Sequence, residues 1–131
     1  MRRWPRPLSL RFLLALSAIP SLSAAPPVDF ARDIRPILSD RCFSCHGPDE
    51  SKRQAGLRLD TEDGAKKMRG THAPIVAGDA GASEILKRVA PEIPAKRMPP
   101  PYSDRKPLTE KEVATLRAAL RTAQAAGSLP A

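Results

Sequence analysis

The sequence predicts an all-α protein of about three to four helices joined by long loops. Three observations predict it. Apolar residues recur at helical spacing in separate stretches, no stretch alternates over a strand's length, and glycine and proline crowd the segments between.

The first predicted helix runs from Val28 to Asp40. Phe30, Ile34, Ile37 and Leu38 fall on one helical face, Asp29 stands where an N-cap belongs, and Pro36 predicts a kink. From Gly47 to Gly81 the chain is loop-rich, with Gly47-Pro48, Gly56, Gly64, Gly70, Pro74 and Gly78; Leu57-Arg58-Leu59 is too short to count as a strand. Ser83 to Val89 predicts a short helix with Ser83 as N-cap and Ile85, Leu86 and Val89 inward. Pro91 to Pro107 is proline-rich and excludes regular structure. The last helix has the strongest signal: Thr109 and Glu112 form a capping box, Leu108 and Val113 a hydrophobic staple, and Val113, Leu116 and Leu120 the buried face, with Gly127 as the stop.

The first 24 residues read as a secretory signal peptide. Arg2, Arg3, Arg6 and Arg11 give a basic start, Phe12 to Ile19 is apolar, and small residues follow Pro20, with cleavage expected after Ser23 or Ala24. The apolar run falls short of the ~20 residues that span a bilayer, so no membrane span is expected after cleavage. The folded domain is assigned to residues 28–127, with 128–131 as a short tail.

Charge and composition narrow the function. The chain has 22 basic and 14 acidic residues; losing the four leader arginines leaves 18 against 14, or +4. Only Phe30, Phe43 and Tyr102 remain as aromatics. Nucleic-acid binding wants a concentrated basic face with stacking aromatics, so it has no support here. About 105 mature residues with so few aromatics make a thin core. A large flat apolar cofactor would complete that core and organise the long loops.

Cys42-Phe43-Ser44-Cys45-His46 carries the chemistry. It is C-x-x-C-H, the pattern of c-type haem attachment. Each thiol adds to one haem vinyl group, and two intervening residues let both sulfurs reach vinyls on neighbouring rings. The histidine next in line then lies over the iron as proximal ligand. These are the only two cysteines. A thiol–disulfide centre wants a βαβ context that is absent. A zinc site wants a second Cys/His pair, and His72 is the only other histidine. A plain structural disulfide is the remaining competitor. The export signal favours haem, which in bacteria is attached beyond the cytoplasmic membrane.

The second axial ligand has three candidates: Met68, Met98 and His72. Met98 opens Met98-Pro99-Pro100-Pro101, a stiff extended run able to present the preceding side chain without a helix. It lies 52 positions after His46, far enough to wrap over the other haem face. Met68 stands between Lys67 and Arg69, and His72 in a glycine-rich loop; both are expected at the surface. His46 is expected to donate its other ring N–H to a carbonyl near Gly47-Pro48. Arg58, Lys96, Arg97 and Tyr102 are the donors available to haem propionates.

Beyond the motif, the chain resembles the planctomycete-type cytochrome c domain. The matching blocks are residues 30–38 (FARDIRPIL), 42–49 (CFSCHGPD), 56–60 (GLRLD), 75–79 (IVAGD), 83–89 (SEILKRV), 98–100 (MPP) and 108–113 (LTEKEV), so the resemblance covers about residues 28 to 117. It implies a small class I-like cytochrome c fold around one covalent haem c and its iron. It also implies Cys42 and Cys45 as attachment points, His46 as proximal ligand and Met98 as distal ligand. The family accommodates a proline in the first helix. It usually ends its last helix with a Trp-Ile pair, where this chain has Ala119-Leu120. The expected function is periplasmic electron transfer between redox partner proteins, without enzymatic activity. The alternatives are a haem enzyme or gas sensor with an open distal site, and a relay subunit of a larger redox complex.

Overall fold

The computed structural model describes Met1, residues 26–90 and residues 94–123. Apart from Met1, the expected leader lies outside the described residues, as do Gly127 and the tail. Among the described residues the chain is helical: α1 Arg35–Arg41, α2 Phe43–His46, α3 Glu62–Lys66, α4 Glu84–Val89 and α5 Glu110–Thr122. A π-helical turn, Phe30–Ile34, leads into α1, and two 3-10 turns, Pro94–Lys96 and Pro101–Ser103, lie between α4 and α5. The β-type pairing among them is an isolated bridge between Arg69 and His72. No helix of the described residues is long and apolar enough to cross a membrane.

The first predicted helix forms, but with two geometries. Asp29 caps it by accepting from the Arg32 amide at 2.7 Å. The Arg35 amide reaches back to the Phe30 carbonyl, one residue beyond the α-helical partner. This wider turn ends where Pro36 begins to matter. Pro36 becomes an early residue of α1, where its missing N–H is harmless, so the expected kink is expressed as a π turn ahead of it. Ile34, Ile37 and Leu38 are buried by this segment.

Two short elements differ from expectation. Ser83 occupies the N-cap position of α4, yet its hydroxyl caps no α4 amide. It is fully buried and accepts from the Val76 amide at 2.9 Å while lying 2.8 Å from the Asp79 carbonyl, which fastens the 76–79 turn. The first amides of α4 are met by backbone instead: Glu84 donates to Ala73 at 3.2 Å and Ile85 to Pro74 at 3.0 Å. α3, inside the expected loop, is five residues long and contains Gly64, too short for a periodic signal; Thr61 starts it by accepting from the Gly64 amide at 3.3 Å. The proline-rich segment, expected to lack regular structure, contains only the two 3-10 turns among its described residues.

α5 forms as its capping box requires. Glu112 N–H donates to Thr109 Oγ1 at 3.2 Å, and Thr109 N–H donates to Glu112 Oε2 at 2.7 Å. Leu116 and Leu120 are buried, and Leu108 and Val113 pack partly buried against the same core. α5 packs on the π turn and on α4. Its carbonyl at Leu120 accepts from the Gly78 amide at 2.9 Å; Gly78 has φ +81, a left-handed conformation that glycine adopts without strain.

A cavity of ≈ 880 Å³ opens between the π turn, α5 and the 59–65 segment, with Phe30, Ile34, Phe43, Leu59, Ala119 and Leu120 on its wall. Ala119, on this wall, stands where the family resemblance leads one to expect a tryptophan, and the space is several times larger than one such side chain would fill. Filling such a void without overpacking commonly adds stability. Ala119→Leu is therefore expected to raise the melting temperature, corresponding to about 1 kcal/mol. Thr109→Ala should lower stability by about 1 kcal/mol through loss of the cap. Thermal unfolding followed by far-UV circular dichroism checks both.

Candidate functional site

α2 is a single turn, and that turn gathers the motif. The Cys42 carbonyl accepts from the Cys45 amide at 3.1 Å and from the His46 amide at 2.8 Å. The backbone turn thus sets Cys45 and His46 three and four positions beyond Cys42. Cys42, Cys45 and His46 are all half-buried, and the two cysteines are free thiols. Gly47 ends the turn at a close approach: a Cβ there would lie 2.2 Å from the Phe43 carbonyl oxygen. Only glycine fits without moving the α2 backbone.

The following loop returns to hold the turn. Gln54 N–H donates to the Cys45 carbonyl at 2.8 Å, and Leu59 N–H to the His46 carbonyl at 2.8 Å. Arg53 reaches the carbonyls of Gly47 at 3.0 Å and Pro48 at 2.7 Å. Arg69 adds a hydrogen bond to the Ala55 carbonyl. On the other side Arg41, immediately before Cys42, donates to the carbonyls of Lys106 at 2.7 Å and Pro107 at 3.2 Å and pairs with Glu112 at 3.4 Å. Arg105 donates to the Asp40 carbonyl at 2.6 Å. Sequence reasoning missed Arg41 and Arg53, because an arginine in a charged stretch reads as solvated until its long-range carbonyl partners are known.

The electrostatics separate competing chemistries. Burial pushes the Cys42 thiol up to about 11, with the Arg41 charge working against it and Cys45 adding to it. Thiol–disulfide exchange centres need a depressed cysteine pKa, so this is the wrong environment for one. Among the described residues no three His, Cys, Asp or Glu side chains gather as a metal-donor set, which removes the zinc reading. Burial lowers the His46 pKa, the Gln54 backbone opposes that shift, and Arg69 reinforces it. The neutral imidazole this favours is the form that binds a metal.

His46 Nδ1 is buried without a hydrogen-bond partner. The expected bond is thus not made from Nδ1; the Gln54 backbone is the hydrogen-bond partner that acts on the ring, and the Gly47 and Pro48 carbonyls are engaged by Arg53. Among the three distal candidates, Met68 is 60 % exposed and His72 is exposed, while Met98 is half-buried. The Met98 amide donates to the Arg88 carbonyl at 2.8 Å, fixing the start of the proline run to the end of α4. Arg41 and Arg105 fix the far end of that segment beside Cys42. Cys42, Cys45, His46 and Met98 do not line the large cavity, which reaches the motif through Phe43. A haem fits the residues of this turn: two half-buried free thiols and an imidazole that burial favours in its neutral form, with buried nitrogens on His46 and Arg97 that lack partners.

Residues 42–102 match the family model described as Planctomycete cytochrome C. The match begins at the first motif cysteine and takes in Met98. No curated protein and no solved structure matches the chain.

The raised Cys42 pKa has a direct consequence for the haem-free protein. Below pH 11 the neutral thiol dominates, and at pH 8 the thiolate fraction is about one in a thousand. In a Cys45→Ser variant made without haem, alkylation of Cys42 by iodoacetamide should be slow at pH 8 and accelerate steeply toward pH 11. A half-maximal rate near pH 8.5 would contradict the buried environment.

Proposed function

From the match of residues 42–102 to the Planctomycete cytochrome C model we propose that the chain carries a cytochrome c domain of that type and is an exported mono-haem c-type cytochrome that transfers electrons. The observation that carries this reading is the single helical turn that spans the C-x-x-C-H motif, closed on the Cys42 carbonyl by the Cys45 and His46 amides. Cys42 and Cys45 would hold the haem through thioethers, His46 would be the proximal ligand, and Met98 the distal one. The haem would supply one-electron chemistry at its iron, cycling between ferric and ferrous.

The polypeptide's part is positioning. α2 orients the imidazole, the 54–59 loop fixes the turn from behind, and the proline run carries Met98 from α4 toward the segment clamped by Arg41. A short stiff run limits how far a ligand can move when the iron changes charge, which suits a carrier better than a catalyst. The mature chain, mildly basic by its sequence, would dock transiently with redox proteins, where complementary charge sets encounter rate more than affinity. The proposed location is the periplasm or another compartment beyond the cytoplasmic membrane, after removal of the leader.

The test is an optical spectrum of ferric holoprotein made in a periplasm with haem-maturation machinery. The wild type should show the red-region band of sulfur-to-iron bonding, and Met98→Ala should lose it completely, bind carbon monoxide when reduced, and have a lower reduction potential, since methionine ligation raises it. Covalent haem without that band in the wild type, with ready carbon monoxide binding, would refute His/Met ligation and favour an open-site sensor or enzyme.

A further inference from the structure

Resting on the haem reading above, we propose that Arg97 is the residue that receives a haem propionate. Four donors are available in the sequence, and their environments differ. Arg58 is engaged on both edges by Asp60, at 3.1 Å through Nε and 2.5 Å through Nη2. Lys96 is exposed, and Tyr102 is 87 % exposed. Arg97 is half-buried, and its Nε is enclosed with no hydrogen-bond partner.

An enclosed guanidinium nitrogen without an acceptor is costly, because it has given up water and gained nothing. Other arginines of the described residues have acceptors: Arg41 on Lys106 and Pro107, Arg53 on Gly47 and Pro48, Arg88 on Glu84. Arg97 directly precedes Met98, whose amide is fixed to the Arg88 carbonyl at 2.8 Å. Arg97 is thereby fixed beside the proposed distal ligand in the chain, and a carboxylate is the acceptor that a planar guanidinium fork fits best.

The electrostatic consequence has a sign. A fixed cation beside a propionate keeps that carboxyl ionised; at equal propionate ionisation the cation disfavours the ferric state and so raises the reduction potential. Reduction strengthens proton binding at the propionate, so the potential falls with rising pH through the propionate's titration range. With Arg97 present that range lies in acid; with it removed the range moves toward neutrality.

The experiment is a redox titration of holoprotein over a pH series for the wild type, Arg97→Gln and Lys96→Gln. Arg97→Gln should retain covalent haem, show a lower potential at neutral pH, and have its pH-dependent fall displaced upward; Lys96→Gln should follow the wild type. A potential and pH profile in Arg97→Gln equal to the wild type would overturn the assignment, and so would an equal displacement in Lys96→Gln. Should Arg97→Gln fail to accumulate, Arg97→Lys keeps the charge and changes the fork: the propionate bending band in resonance Raman should shift, and an unshifted band overturns the assignment. A wild type without covalent haem would overturn the haem reading itself and this inference with it, which the haem content alone distinguishes.

Discussion

The Cys42 carbonyl accepts the amides of both Cys45 and His46, and the functional reading depends on that shared acceptor. Together the two bonds close one helical turn across Cys42, Cys45 and His46. The turn has no helix of useful length to stabilise it, since isolated short helices are marginal. It is therefore held from outside. Gln54 and Leu59 amides occupy its carbonyls, Arg53 ties its exit, and Arg41 ties its entry to the segment before α5. Gly47 permits the exit because no side chain fits against the Phe43 carbonyl.

The same economy of structure runs through the core. Ile34, Ile37, Leu38, Ile85, Leu86, Leu116 and Leu120 make up most of it, and among the described residues aromatics take part at its margin as Phe30 and Phe43. Aliphatic side chains on short helices leave space, and the cavity beside Ala119 is where that space collects. Loops account for much of the chain between α2 and α5, and they are fixed by backbone hydrogen bonds and by buried hydroxyls such as Ser83. A covalently tethered cofactor would add apolar surface to such a fold without demanding a larger hydrophobic core.

What was legible in the sequence follows from which forces are local. α5 was readable to its first residue because a capping box and a staple are local patterns, and the Thr109–Glu112 bonds form as expected. The C-x-x-C-H motif was readable because its spacing is its chemistry. The π turn before Pro36 was visible only as a conflict, since a proline says that a regular helix fails but not how. Ser83 misled because capping and turn-stitching use the same hydroxyl, and the choice depends on Ala73 and Pro74 carbonyls ten residues upstream. Arg41 and Arg53 were invisible for the same reason: their partners are carbonyls that carry no sequence signature. The unpartnered Arg97 nitrogen could be found only from burial.

The most direct test of the central claim is the intact mass of the mature protein purified under denaturing conditions from an exporting host with haem-maturation machinery, compared with Cys42→Ala and Cys45→Ala single and double variants. The account predicts a chain lacking about the first 24 residues and heavier by one haem in the wild type, with the haem mass lost from the double variant. A wild-type chain at the polypeptide mass less two hydrogens, the signature of a Cys42–Cys45 disulfide, would contradict it.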